Sequence, residues 1–278
     1  MCTAIANPVS STGQRDMAFL IRESAEEYHA RSKEFLTGHQ LADFRRCPAL
    51  YRKRKLGPVG DEDRPAHLID RALRTLVLKG RDQFEAEYAV GGPINPQTGE
   101  MFGPTTREFA EWAEVQGKAA LTLEQFDLVE SMADGVRANG LAMDLLSEGI
   151  AEGVVRTEYC GVPSQIRIDW FDPHRGIVDL ETCDDLTRFE ADAKHHGYVH
   201  HVAFRRAVLA QVIAVLMPMF LISVERELPY RCGVWKVHDD ALAQARRDNE
   251  AAIERLKRCG ATDTWSTGYE ECRVLDAI

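Results

Sequence analysis

Two short stretches carry most of the chemistry this sequence offers: Arg167-Ile168-Asp169-Trp170-Phe171 and Ile177-Val178-Asp179-Leu180-Glu181-Thr182. Both read as β-type segments, separated by Asp172-Pro173-His174-Arg175-Gly176, a turn signal. Side chains alternate along a strand, so Asp179 and Glu181 share one face while Val178 and Leu180 share the other. An antiparallel hairpin around residues 173–175 is expected to set Asp169 opposite Asp179 and Arg167 opposite Glu181. It would gather Ile166, Ile168 and Trp170 with Val178 and Leu180 on the core face. A slip of one residue would drive Asp169 into that core, so the pattern supports its own register.

Three carboxylates and one arginine would then share a patch, with opposing Cβ atoms roughly 4.5–5.5 Å apart. Two like charges about 4 Å apart repel by about 4 kcal/mol at an effective dielectric of 20. A few such contacts rival a domain's whole stability of roughly 5–15 kcal/mol. A proton, Arg167 or a divalent cation must relieve them. Clustered hard oxygens suit Mg²⁺ or Mn²⁺, and such an ion can activate water and stabilise charge on a phosphate. The plainer alternative is a solvated sheet face with an Arg–Glu cross-strand pair and no metal, the default for an arbitrary acidic hairpin.

The elements that must position these residues follow from the rest of the pattern. Residues 1–25 mix Ser, Thr, Asn and Gly with little periodicity and read as a loose arm, leaving 26–278 as one domain. Within it, 26–150 is mainly helical: helices are expected over 32–51, 67–78, 108–116, 123–139 and 143–148, a charged turn over 61–64, and a Gly/Pro-rich loop over 91–106. From 151 the pattern turns to a sheet core. Strands are expected over 154–159, 165–171, 177–182, 220–225 and 230–237, a long helix over 189–216, and an amphipathic helix over 239–259. Helices, a meander, then helix, strand and helix predict an α+β or mixed α/β domain around a small sheet.

Composition narrows the class without naming a function. Among 278 residues, 45% are hydrophobic and 28% charged, ordinary for a soluble globular chain. The longest apolar run, 208–224, is broken by Gln211 and Pro218, so no membrane span is expected. The N-terminus lacks a secretory pattern. Seven scattered cysteines without a CxxC pair read as reduced thiols in a cytoplasmic protein. The net charge of −10 is unlike that of a nucleic-acid-coating protein, although a local basic stripe such as Arg52-Lys53-Arg54-Lys55 can still hold phosphates or simply solvate a helix end. His195, His196, His200 and His201 lie on one helical stretch with no cysteine partners, which argues against zinc.

Asp169 followed by the Asp179-Leu180-Glu181 strand resembles the acidic core of PD-(D/E)XK nucleases. The chain from about residue 28 onward is similar, more narrowly, to the RecE-like phage and prophage exonucleases. The likeness runs in order through Tyr28-His29-Ala30, Cys47-Pro48-Ala49-Leu50-Tyr51, Ala72 to Leu78, Trp112, Glu152, Tyr198 with Ala203-Phe204, Pro229-Tyr230, and Trp265 with Gly268-Tyr269. The resemblance implies a restriction-endonuclease-like sheet flanked by helices and Mg²⁺- or Mn²⁺-dependent exonucleolytic hydrolysis of duplex DNA. It further implies work in recombination beside a single-strand annealing protein, and assembly into a homo-oligomeric ring. By the same resemblance Asp169 and Asp179 are metal ligands, the Leu180 carbonyl is a third donor, and Glu152 binds the metal directly or through water.

The sequence also departs from that family. Glu181 stands where the family has its catalytic lysine, Arg74 where it has an early-helix histidine, and His201 and Arg205 where it has glutamine and tyrosine. Glu181 could take a metal or act as a general base. Arg74 or Arg167 could replace the lost positive charge, but arginine cannot act as a base. Tyr198, His201 and Arg205 are expected to face the site or its DNA. Two functions stay open: an active nuclease with a remodelled site, or a degenerate relative that binds DNA or a partner without cutting.

Overall fold

A computed structural model of the chain describes residues 19–57 and 65–274. The expected turn over 61–64 and residues 1–18 of the expected arm lie outside the described residues. Residues 19–25 are docked: Leu20 is buried, and Ile21 exchanges backbone hydrogen bonds with Val154 at 2.8 and 2.9 Å.

The first half of the chain is mostly helical. α1 (Ala25–Ala30) starts from a Ser24/Glu27 capping box and runs into a 3₁₀ turn (Arg31–Lys33). α2 (Gly38–Arg46) starts from Thr37 with Gln40 in the same reciprocal role. The single helix expected over 32–51 is thus divided. Pro48 cannot donate to the preceding turn, so Cys47 turns extended and α3 (Pro48–Leu56) begins afresh. α4 (Pro65–Arg74) gives way at Arg74 to a π-helical turn (Thr75–Lys79), and Gly80, at φ 87°, ends it. Next come α5 (Arg81–Glu87), β1 (Tyr88–Val90), α6 (Arg107–Gln116), β2 (Ala119–Leu121), α7 (Leu123–Ala138) and α8 (Gly140–Leu145). β1 and β2 pair in parallel, a small sheet that short, unpatterned triplets do not announce.

The second half builds the main sheet: β3 (Ile150–Tyr159), β4 (Val162–Asp172), β5 (Gly176–Cys183), α9 (Phe189–His195), α10 (Tyr198–Ile213), β6 (Met219–Glu225), β7 (Cys232–Lys236) and α11 (Asp239–Thr262). The five strands lie in sequence order, antiparallel except for β5 and β6. That parallel pair needs a crossover, which α9 and α10 supply. The helix expected over 189–216 is two helices, because Gly197 takes a left-handed φ of 72° between them.

The sheet separates two cores. One packs Ile166, Ile168, Phe171 and Ile177 against Phe44 of α2, Phe204 and Val208 of α10, and Ile253 of α11. The other packs Val178, Leu180, Ile222 and Val224 against Leu73 of α4, Leu76 of the π turn, and Met132 and Val136 of α7. A mixed sheet with helices on both faces agrees with the predicted α+β class.

Candidate active site

The site is made by an interruption of the sheet. Trp170, Phe171 and Asp172 of β4 pair with Val178, Ile177 and Gly176 of β5, the register read from the sequence. The pairing goes no further. Asp169 and Asp179 are therefore not ladder partners, and Arg167 does not face Glu181 but pairs with Val154 of β3. The shared core face is corrected too. Ile166 and Ile168 pack in the first core, Trp170 packs against the second, and Phe171 returns to the first. Strict alternation cannot do this. Both β3 and β4 change phase at one place, where Glu152 has a left-handed φ of 55° and neither Glu152 nor Asp169 has a Cα partner, although Ala151↔Trp170 and Gly153↔Ile168 pair on either side. Such local kinks re-aim side chains, and here the re-aimed residues are the two acids.

Where β4 leaves β5, side chains fill the gap. Asp169 Oδ2 accepts the Leu180 N–H at 3.0 Å and Arg74 Nε–H at 3.0 Å. The same Nε–H reaches the Leu180 carbonyl at 3.0 Å, and an Arg74 terminal nitrogen donates to Glu181 Oε2 at 3.3 Å. From the other face, Arg205 of α10 donates to Asp179 Oδ2. Asp179 Oδ1 is buried and accepts no hydrogen bond. The Asp179 side chain has no exposed surface, whereas Arg74 and Glu181 each keep 26% of theirs and Arg205 keeps 20%.

The charges are partly matched: two guanidinium groups face three carboxylates. Burial pushes Asp179 from the ordinary 3.8 up to about 7; Arg205 opposes the shift, while Asp169 and Glu181 add to it. Burial also raises Glu181, with Arg74 opposing and Asp169 adding. Burial pulls both arginines down, but the carboxylates more than offset it and hold them above their usual range: Asp169 and Glu181 lead at Arg74, Asp179 and Asp169 at Arg205.

The other expected site residues fall nearby or beside this centre. Glu152 and Arg167 form an adjoining cluster: Glu152 Oε2 lies 3.0 Å from Arg167 and 2.5 Å from Lys79. Lys79 also bridges to Glu87 at 2.8 Å. His201, one turn before Arg205, is half-buried against His39 with ring centroids 4.8 Å apart. Burial, His39 and Arg205 hold it down to about 3, so its imidazole stays neutral. Tyr198, first residue of α10, is raised by burial, with Glu181 near enough to add to the effect.

Lys79, Asp70 and Tyr28 were not singled out from the sequence as site residues. Asp70 accepts from Thr182 Oγ1 at 2.8 Å and from Arg226 at 3.1 Å. Tyr28 is pushed up to about 12 by burial against the pull of Arg205 and Arg167. Only Tyr28 carried a signal, through the family likeness; Asp70 and Lys79 occupy unremarkable places in a helical stretch.

The comparisons with known proteins agree with this layout. Residues 39–277 match the family described as a PDDEXK-like domain of unknown function, DUF3799. The chain belongs to this family. Among solved structures, the PDDEXK-like chain is similar to a provisionally named exonuclease from Eubacterium rectale, with 18% identity and a TM-score of 0.66, covering 93% of this chain and 96% of that one. At that identity the likeness establishes the fold. LHK-Exo in complex with dAMP aligns over 86% of this chain and 100% of its own at 13% identity and a TM-score of 0.34, too distant to bear on the argument. No curated protein matches the sequence.

PDDEXK-like nucleases generally use divalent metals, and the donors here have the right chemistry. Carboxylates and a backbone carbonyl are hard oxygen ligands, and the unpartnered Asp179 Oδ1 is a buried acceptor that calls for a proton or a cation. Among the described residues, however, no three Asp, Glu, His or Cys side chains form a ready cage. The guanidinium groups of Arg74 and Arg205 lie among the acids instead. No disulfide joins the described cysteines. No helix among the described residues is long and apolar enough to cross a membrane.

Proposed function

We propose that this PDDEXK-like chain is a deoxyribonuclease that hydrolyses phosphodiester bonds of duplex DNA with Mg²⁺ or Mn²⁺. One observation supports the reading: Arg74 draws Asp169, the Leu180 carbonyl and Glu181 together where β4 and β5 part, and Asp179, two residues before Glu181, keeps a buried oxygen without a partner. Asp169, Asp179 and the Leu180 carbonyl would hold the ion, with Glu181 as a further donor. A bound divalent ion supplies Lewis acidity toward the phosphate and lowers the pKa of water.

The chain's own groups divide the remaining work. Glu181, raised by burial, would accept a proton from the attacking water. As the water oxygen bonds to phosphorus, the P–O bond to the leaving sugar oxygen breaks, and that oxygen ends protonated. Arg205 and Arg74 would offer permanent positive charge to phosphate oxygens but no base. Exonucleolytic action, a ring assembly, a single-strand annealing partner and a place in phage-type recombination in the cytoplasm rest on the RecE-like resemblance alone.

A second reading has its own observation. Because Arg74 and Arg205 already pair with the acids, the same fold could bind DNA or a recombination partner without cutting. Linear duplex DNA incubated with the protein and Mn²⁺ separates the two. Metal-dependent shortening that is lost in Asp179→Asn supports the nuclease. No shortening, with salt-sensitive binding that needs no metal and survives Asp169→Ala, supports the binding module.

A further inference from the structure

The two arginines hold the acids in different ways. Arg205 takes one oxygen of Asp179 and leaves the other, buried, without a partner. Arg74 is less sparing. Its Nε–H is shared between Asp169 Oδ2 and the Leu180 carbonyl, and its terminal nitrogen reaches Glu181. Three oxygens from two diverging strands thus converge on a single cation, and that cation is a side chain.

We propose that Arg74 is the resident cation of this site, and that a divalent ion binds the Asp169–Leu180–Glu181 oxygens only by displacing its guanidinium group. The proposal rests on the nuclease reading in that it assumes these oxygens can take such an ion. A guanidinium and a divalent ion placed together on these oxygens repel each other, and Arg74 already occupies Asp169 Oδ2, the Leu180 carbonyl and Glu181 Oε2. Arginine does not leave by losing a proton, so it must leave by moving. The geometry permits this. Arg74 is the last residue of α4, where α-helical bonding gives way to the π turn, and its side chain keeps 26% of its surface exposed. Arg205 needs no such movement, since Asp179 Oδ1 is free beside it. Arg74 and Arg205 thus offset part of the charge of the three carboxylates, and Arg74 sets how readily a divalent ion enters.

The test is Mn²⁺ binding to the full chain without DNA, by titration calorimetry and by the shift of Tm with Mn²⁺, for wild type, Arg74→Met and Arg74→Lys. Arg74→Met is expected to melt lower without metal, to bind Mn²⁺ about ten-fold tighter or more, the size of an ordinary coupling between competing ligands, and to show a larger Mn²⁺-induced rise in Tm. Arg74→Lys keeps one charge but cannot span three acceptors; it is expected between the two, and it carries the test should Arg74→Met fail to fold. Equal Mn²⁺ affinity in wild type and variants, with DNA still cut, overturns the proposal and leaves the nuclease standing. No Mn²⁺ binding in any of the three proteins overturns both.

Discussion

Asp169 Oδ2 accepts the backbone N–H of Leu180 at 3.0 Å, taking the place of a strand carbonyl where β4 has stopped pairing with β5. A carboxylate thus completes the hydrogen bonding of the sheet and faces the site at the same time. Asparagine can keep the backbone bond, whereas alanine leaves a buried N–H without a partner. Asp169→Ala is therefore expected to lose about 1–3 kcal/mol more than Asp169→Asn in urea unfolding, while both variants lose metal-dependent cleavage. Equal stabilities would mean that water replaces the carboxylate without loss.

The Arg205–Asp179 pair is the most buried ion pair of the centre, with Asp179 wholly enclosed. Removing one partner strands the other charge. Arg205→Met is expected to lower stability by about 3–5 kcal/mol. Adding Asp179→Asn is expected to restore part of that loss, giving a favourable coupling in a double-mutant cycle. Strict additivity would show that the two side chains do not interact in solution.

The pH dependence of stability has a definite sign. Asp179 holds its proton up to about 7 in the folded chain, against 3.8 for an ordinary aspartate. Between those values the folded state binds the additional proton, so this group's contribution is fully present below about pH 4 and is lost as pH rises toward about 7. Tm is expected to decline over that window in wild type, and less steeply in Asp179→Asn. Metal affinity should move the other way, weakening as pH falls below about 7 and the carboxyl fills. A pH-independent difference between the two proteins would contradict the shift.

Gly176 closes the β4–β5 turn and so maintains the register that delivers Asp169 and Asp179 to the site. Its φ is 134°, and a Cβ there would lie 2.3 Å from the Pro218 carbonyl, which accepts from Ile177 N–H at 2.9 Å. Neither backbone can yield cheaply. Gly176→Ala is expected to destabilise by about 2 kcal/mol or more and to weaken cleavage with it. Wild-type stability by calorimetry would show that the turn can shift.

Local patterning carried much of this architecture. Alternation placed the strands of the main sheet, the Asp172–Gly176 turn set the β4–β5 register, and the period along β5 put Val178 and Leu180 together on one face, as found. These depend on neighbours in the chain, which a sequence shows directly. The phase change at Glu152 and Asp169 was not legible, because it depends on one residue's backbone angle and on two strands bending together. The counter-ion was legible only as a choice between Arg74 and Arg167: Arg167, two residues from Asp169, turns to Glu152, and Arg74 of α4 meets Asp169. By itself the sequence determined which acids lie on which strands. Only the tertiary structure decided which positive charges meet them, because burial is set by how helices distant in the chain close over the sheet, and a buried carboxylate takes whichever cation that packing brings within reach.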